Sequence, residues 1–217
     1  MAVTRSSILP RPKTGEVRVR LGAVGMSSLG LQAAGFIEAV GPEAAGFAPG
    51  DRVAYPADAA NKGLRPTLSE RDLIGFPKDV AIDKAVGFLP LGLLSRCIVK
   101  QLHSIGSGNS VSITPDSSGA HLFVAAWVEF LGGVVVADAS TADVAITAAD
   151  YTVARQWRNG HGTGQQAASD VFQAVRKGVF DVIPITTYPL SEAATARGAM
   201  ADGPVVLLPA DQFDKAA

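Results

Sequence analysis

At 217 residues, 47% hydrophobic and 18% charged, with 23 glycines and 13 prolines, the chain has the balance of a loop-rich globular protein and is long enough to bury a core without covalent staples. Its 19 basic and 20 acidic residues nearly cancel and are scattered, which excludes an electrostatic footprint for nucleic acid or an anionic membrane. The single Cys97 excludes an internal disulfide and a CxxC metal knuckle, and no apolar run is long enough for a signal-peptide core or a spanning helix, so a cytoplasmic location is expected.

Glu16, Val17, Arg18, Val19, Arg20 and Leu21 alternate charged and apolar side chains, the period of a half-exposed strand. Two β-rich pieces follow, Gly35 to Val40 and Arg52 to Tyr55, separated by the turn residues Gly41, Pro42, Gly46, Pro49 and Gly50. From Asp83 to Leu102 the nearly unbroken apolar sequence predicts a buried helix, with Asp79 or Asp83 as its cap and Cys97 as a packing residue within it. The pattern then becomes α/β. Ser110 to Thr114 reads as a strand, Ala120 to Leu131 as a buried helix, and Val134 to Ala137 and Asp143 to Thr147 as further strands, continuous apolar runs being expected where helices cover both sheet faces.

The glycines between Gln156 and Gln166 predict a mobile connector before a helix from about Ala168 to Lys177. Val182 to Thr187 and Val205 to Leu208 close the chain as strands, with Ser191 as a possible cap for a helix through about Met200.

Residues 35–55, GFIEAVGPEAAGFAPGDRVAY, closely resemble the segment of medium-chain dehydrogenases/reductases in which a β-hairpin of the GroES-like domain leads to the signature carried here by Gly50, Asp51, Arg52 and Val53. Residues 15–30 resemble the family's early strand and active-site turn, 76–99 its connecting helix, 108–133 its first βα unit, and 177–193 with 203–209 its C-terminal return. Typical members are about half as long again. Relative to them the chain looks shortened between Gln32 and Ala33 and after about Tyr151. The resemblance implies an α/β fold: a GroES-like β-rich domain from residues 1–82 and 182–217, and a shortened Rossmann-like parallel-sheet lobe from 83–181.

Catalytic zinc needs about three convergent His, Cys or carboxylate ligands. The GHE element of zinc-dependent relatives is absent, and His103, His121 and His161 are far apart in sequence, so no metal is expected; His103 and His161 read as surface or loop residues. A dinucleotide pyrophosphate needs a tight glycine-rich turn with unobstructed backbone at the N-terminus of the first helix. The resemblance places AxxGxxG of the quinone reductases on Pro115, Asp116, Ser117, Ser118, Gly119, Ala120 and His121, so that the alanine and both glycines are replaced while Gly119 remains between them. Ser117, Ser118, Gly119 and Ala120 are the candidate phosphate contacts. Side chains at Ser118 and His121 would crowd the site, and Asp116 would oppose an anion. Asp138, 19 residues after Gly119, stands where dinucleotide folds place an acid on the ribose hydroxyls; the plainer reading is a residue that ends a strand in a polar turn, since a ribose acid without the pyrophosphate loop contributes little.

For the substrate, the resemblance puts Ser27 and Gln32 at positions of the turn from Gly25 through Gln32 where relatives often carry asparagine and tyrosine. No GxSxG elbow, Walker loop or paired carboxylates point to hydrolysis or phosphoryl transfer, and the GHGTGQQ stretch reads as a connector. The expected function is a quinone oxidoreductase-like or enoyl reductase-like protein reducing a quinone or an activated double bond with NAD(P)H. The alternative is a non-redox descendant serving as an interaction or assembly module. A third reading, cofactor-independent catalysis in a reused cleft, has no residue that speaks for it. In either leading case a homo-oligomer or protein partner is expected to cover the edge of a truncated sheet.

Overall fold

The computed structural model of the chain describes residues 9–57, 63–160, 164–201 and 203–212. Among these, the ten strands fall in two sheets. The larger is organised on β1 (Glu16–Ser27), which pairs antiparallel with β2 (Gly30–Val40); β2 pairs with β3 (Arg52–Pro56), and β1 also with β4 (Thr67–Ser69). The edge beyond β3 is β5 (Ile74–Gly75). The smaller sheet is parallel and holds β6 (Ser110–Ile113) between β7 (Val134–Val136) and β8 (Val144–Ile146). The chain then returns to the first sheet through β9 (Thr186–Pro189) and β10 (Val205–Leu208), a parallel pair docked antiparallel on Val24, Gly25 and Met26 of β1.

The predicted buried helix is α1 (Ile82–Arg96), continued by a π-helical turn from Cys97 to Leu102. It joins the two sheets. Ala23, Ala34 and Ala54 of the first sheet share one apolar cluster with Val86, Leu89 and Leu94 of α1 and with Phe123 and Val124 of α2 (Ala120–Phe130). Phe88, Phe123 and Phe180 meet edge-on or tilted at centroid distances of 5.0–5.7 Å within it. Against α1 also lie α3 (Ala148–Gly160) and α4 (Gln165–Arg176), the latter tied to it by an ion pair between Arg96 and Asp170. A short α5 (Ala193–Ala196) packs beside β9 and β10.

Several sequence expectations need correction. β1 is buried over most of its length rather than half-exposed: even Arg18 is covered, its guanidinium donating to the Pro10 carbonyl at 2.7 Å. Neither Asp79 nor Asp83 caps α1. Its N-cap is Ala81, which makes no side-chain bond; Asp83 lies inside the first turn, where it complements the helix dipole, and Asp79 pairs with Arg176. The connector expected from Gln156 is helical through Gly160, and α4 starts at Gln165; His161 lies outside the described residues. Val182 is not in a strand. Turns from Gly178 to Asp181 and Phe180 to Ile183 send Phe180 and Ile183 into the core and leave Val182 83% exposed, so pairing starts only at Thr186. Ser191 caps nothing; the segment it was to initiate breaks into a 3-10 turn, α5 and a second 3-10 turn. Finally, helices do not cover both faces of β7, where Val134 and Val135 stand exposed. Among the described residues, no helix is long and apolar enough to cross a membrane.

Candidate functional site: the turn between β6 and α2

The turn after β6 is built around one carboxylate. Asp116 accepts the Ser118 N–H at 3.2 Å and the Ser118 hydroxyl on Oδ2, and the His121 N–H at 3.2 Å on Oδ1. The His121 ring stands with Nδ1 3.3 Å from Oδ1, and Arg155 of α3 reaches across to place Nη2 3.2 Å from Oδ2. Three further amides are also engaged: Gly119 N–H on the Asp116 carbonyl, Ala120 N–H on the Ser118 hydroxyl and Leu122 N–H on the Gly119 carbonyl. Gly119 itself serves as N-cap of α2 with φ of 74°, a left-handed conformation that glycine takes without strain. Tyr151 of α3 closes the base of the turn, its hydroxyl donating to the Thr114 carbonyl. Burial opposes ionisation of Asp116, but the bonds from Ser118 and His121 outweigh it and hold the carboxyl below its usual range.

The structure therefore brings together Ser117, Ser118, Gly119, Ala120 and the predicted obstacles Asp116 and His121 in one turn. The expected crowding by the Ser118 side chain is not found. The Ser118 side chain is buried and turned inward, and a Cβ built on Gly119 would meet nothing within 4 Å, so space outside the turn remains open. Most of the donors are already taken: each backbone N–H from Ser118 to Leu122 has an acceptor within the turn, and Ser117 is left exposed ahead of them. The turn as folded offers a dinucleotide pyrophosphate few of the amides on which its binding rests.

Asp138 lies beyond the end of β7, exposed, with its carboxylate accepting both the N–H and the hydroxyl of Ser140 at 2.8 Å. This is the local geometry of a polar turn, and the Ser140 bonds lower its pKa.

The hairpin expected to contact substrate is tighter than the sequence suggests. The connection is Ser28–Leu29, with Ser27 paired to Gly30, and Gln32 belongs to β2 between Gly25 and Pro56 rather than to a turn. Ser27 spends its hydroxyl locally, on the Gly30 carbonyl and the Leu29 N–H. Gln32 is different. It is 6% exposed, it shares with Ala34 the face of β2 that meets α1, and its Nε2 is buried with no hydrogen-bond partner.

Elsewhere, His103 Nε2 lies 2.8 Å from Asp150, and Cys97 is a buried packing residue whose thiol burial pushes up despite the neighbouring Arg96. Among the described residues no group of three or more His, Cys, Asp or Glu side chains converges on a metal position. Sequence reasoning did not find the groove of about 530 Å³ between α4 and the β3–β5 edge, lined by Phe47, Phe76, Phe172, Arg52, Lys78 and Arg176. None of the sequence-predicted site residues lines it.

No protein-family model matches the chain. It is 29% identical to a quinone oxidoreductase of Pseudomonas aeruginosa over 154 residues, 62% of this chain and 47% of that protein. It is 28% identical to a 2-haloacrylate reductase of a Burkholderia species over 162 residues, 63% of this chain and 48% of the relative. The chain thus spans about half the length of the curated relatives it matches. Its fold superposes on a quinone oxidoreductase of Pseudomonas syringae with a TM-score of 0.69 at 19% identity, across 93% of both chains. A mycobacterial protein solved in complex with NADPH gives 0.66 at 20% identity across 95% of both.

Proposed function

We propose that this chain, which is similar to a quinone oxidoreductase and a 2-haloacrylate reductase, is an oxidoreductase of the medium-chain dehydrogenase/reductase family that reduces a quinone or an activated carbon–carbon double bond with NAD(P)H. The observation that carries the reading is the 29% identity to a quinone oxidoreductase over 154 residues. Gln32 supports it. A buried amide donor with no partner costs about 1–3 kcal/mol, and a carbonyl oxygen of a quinone or of an activated alkene's ester is the kind of acceptor that would complete it. Ser27, at the other end of the same hairpin, would border that substrate. In this reading residues 1–82 and 182–217 form the substrate-side β-domain and 83–181 the nucleotide lobe. Ser117 to Ala120 and Asp138 would hold the nucleotide only once Asp116 and Ser140 release the donors and the carboxylate they now engage.

Titration with NADPH and NADH, followed by nicotinamide fluorescence, tests this, together with NADPH oxidation in the presence of a naphthoquinone. Weak binding and slow quinone-dependent oxidation are expected, because the nucleotide must displace the Asp116 carboxylate to enter the turn. No binding at millimolar nucleotide would sink the reading.

The filled turn favours a second reading, a non-redox interaction module. Val134 and Val135 on the exposed edge strand β7 would then lie under a second copy of the chain or a protein partner. A monomeric mass by light scattering, with no partner retained, would count against it.

A further inference from the structure

The β6–α2 turn holds an anion, and the anion is the chain's own. Resting on the reading that this turn stands in place of a dinucleotide loop, we propose that Asp116 is a specificity-determining residue whose carboxylate occupies the donor set a pyrophosphate would need and so excludes it until that carboxylate swings away, which holds wild-type affinity down.

Three observations converge. The N-terminus of an α-helix presents unpaired N–H groups and a partial positive charge, which together attract an anion. At α2 those groups converge on Asp116: Ser118 N–H on one carboxylate oxygen and His121 N–H on the other. A cationic side chain is drawn in as well, since Arg155 reaches from α3 to lie 3.2 Å from the same carboxylate. And the side chain of Asp116 is only 11% exposed, so its charge is poorly screened toward anything approaching the turn.

Exclusion here is electrostatic rather than steric. The space beside Gly119 is open, and the Ser118 side chain points inward. A phosphate entering that space would meet amides already bonded, a guanidinium already neutralised and a fixed negative charge within the cradle. Removing Asp116 reverses all three at once: it frees the Ser118 and His121 amides, leaves Arg155 without its partner and deletes the charge. Asn at this position removes the charge while keeping an acceptor for the amides, so it should release only part of the effect.

The test uses inorganic pyrophosphate as probe, with NADPH alongside, in isothermal titration against the wild-type chain, Asp116→Asn, Asp116→Ala and the double variant Asp116→Ala/Arg155→Gln, each checked for native far-UV circular dichroism. Asp116→Ala is expected to bind pyrophosphate at least tenfold more tightly than the wild type. Asp116→Asn should fall between them, and the double variant should lose most of the gain because Arg155 becomes a ligand of the incoming anion. If Asp116→Ala does not fold, a gain in Asp116→Asn carries the same meaning. Wild-type binding as tight as that of the folded variants, or no gain in either variant, overturns the proposal. The two claims separate cleanly. Quinone-dependent NADPH oxidation by the wild type with no gain in the variants removes the exclusion and leaves the activity. A gain in pyrophosphate affinity with no turnover in any form removes the activity and leaves the exclusion.

Discussion

Gly25 of β1 lies so close to Val86 of α1 that a Cβ built on it would stand 2.3 Å from the Val86 carbonyl oxygen. The two residues explain each other. Val86 sits four positions before Pro90, which has no N–H to return to it, so its carbonyl lacks the usual helical partner and is left facing the strand. Only a residue without a side chain lets β1 approach it. Gly25→Ala must therefore push α1 off the sheet, and we expect a loss of about 3 kcal/mol, read as a lowered midpoint in chemical denaturation. A change within a few tenths of that scale would show that the strand and helix can separate freely. Because Gly25 pairs with Gln32, the same substitution should also disturb the proposed substrate side of the hairpin.

Arg96 and Asp170 link α1 to α4 with Nη2 2.7 Å from Oδ2, and their side chains are 15% and 20% exposed. A pair this covered resembles a buried one more than a surface one. Removing one partner as Asp170→Asn or Arg96→Ala is expected to cost about 1–3 kcal/mol, since it strands the other. Burial raises the Asp170 pKa, but Arg96, through its hydrogen bond and its charge, and Lys100 outweigh it, so the folded value lies below the usual one. The contribution is thus complete above about pH 4, the unfolded value, and is lost as pH falls through the lower folded pKa. Denaturation midpoints of wild type and Asp170→Asn should converge on acidification below that point; a gap that stays constant down to pH 2 would contradict the assignment.

Gln32 should be a position where stability and ligand binding pull apart. Replacing it with Met keeps its length and removes the unpartnered amide, so Gln32→Met is expected to hold or raise the melting temperature. If the amide serves a substrate carbonyl, the same variant raises KM for a quinone. A clear fall in melting temperature would mean that the amide already has a partner and is structural.

How far the sequence revealed these features depends on where each signal resides. The order β6, α2, β7, β8 was legible because continuous apolar runs and a lone glycine at the α2 N-cap are local signals. That Asp116 puts a negative charge into this turn was legible too. Its folding back onto the Ser118 and His121 amides was not, because that depends on Arg155, 39 residues later, arriving from α3. The error at Val182 has a similar origin: β propensity favours a strand there, but burying Phe180 and Ile183 on α1 and α2 forces turns that no local pattern prescribes. Family resemblance singled out Gln32 in a turn, whereas the hairpin closes at Ser28–Leu29 and carries it into a strand.

Helix α3 is the element for which a usable signal was present and unused. Thr147, Ala148, Ala149 and Asp150 form the spacing of a capping box, and the structure uses it: the Thr147 N–H and hydroxyl both bond Asp150 Oδ2, at 2.7 and 3.0 Å. Asp150 has a second duty through its other oxygen, 2.8 Å from Nε2 of His103 beyond the π-helical turn that ends α1. Thr147→Ala removes the hydroxyl bond and leaves both the backbone bond and the His103 contact, so it is expected to cost about 0.5–1 kcal/mol. Asp150→Ala removes the cap and the tie to α1 together and should cost about 2 kcal/mol, the larger share coming from stranded donors in a part-buried position. Amide exchange across α3 separates the two effects. Thr147→Ala should speed exchange only in its first turn, whereas Asp150→Ala should also loosen Tyr151 and Arg155, and with Arg155 the support of the Asp116 turn. Equal exchange profiles for the two variants would show that the His103 contact contributes nothing to holding α3 against the turn.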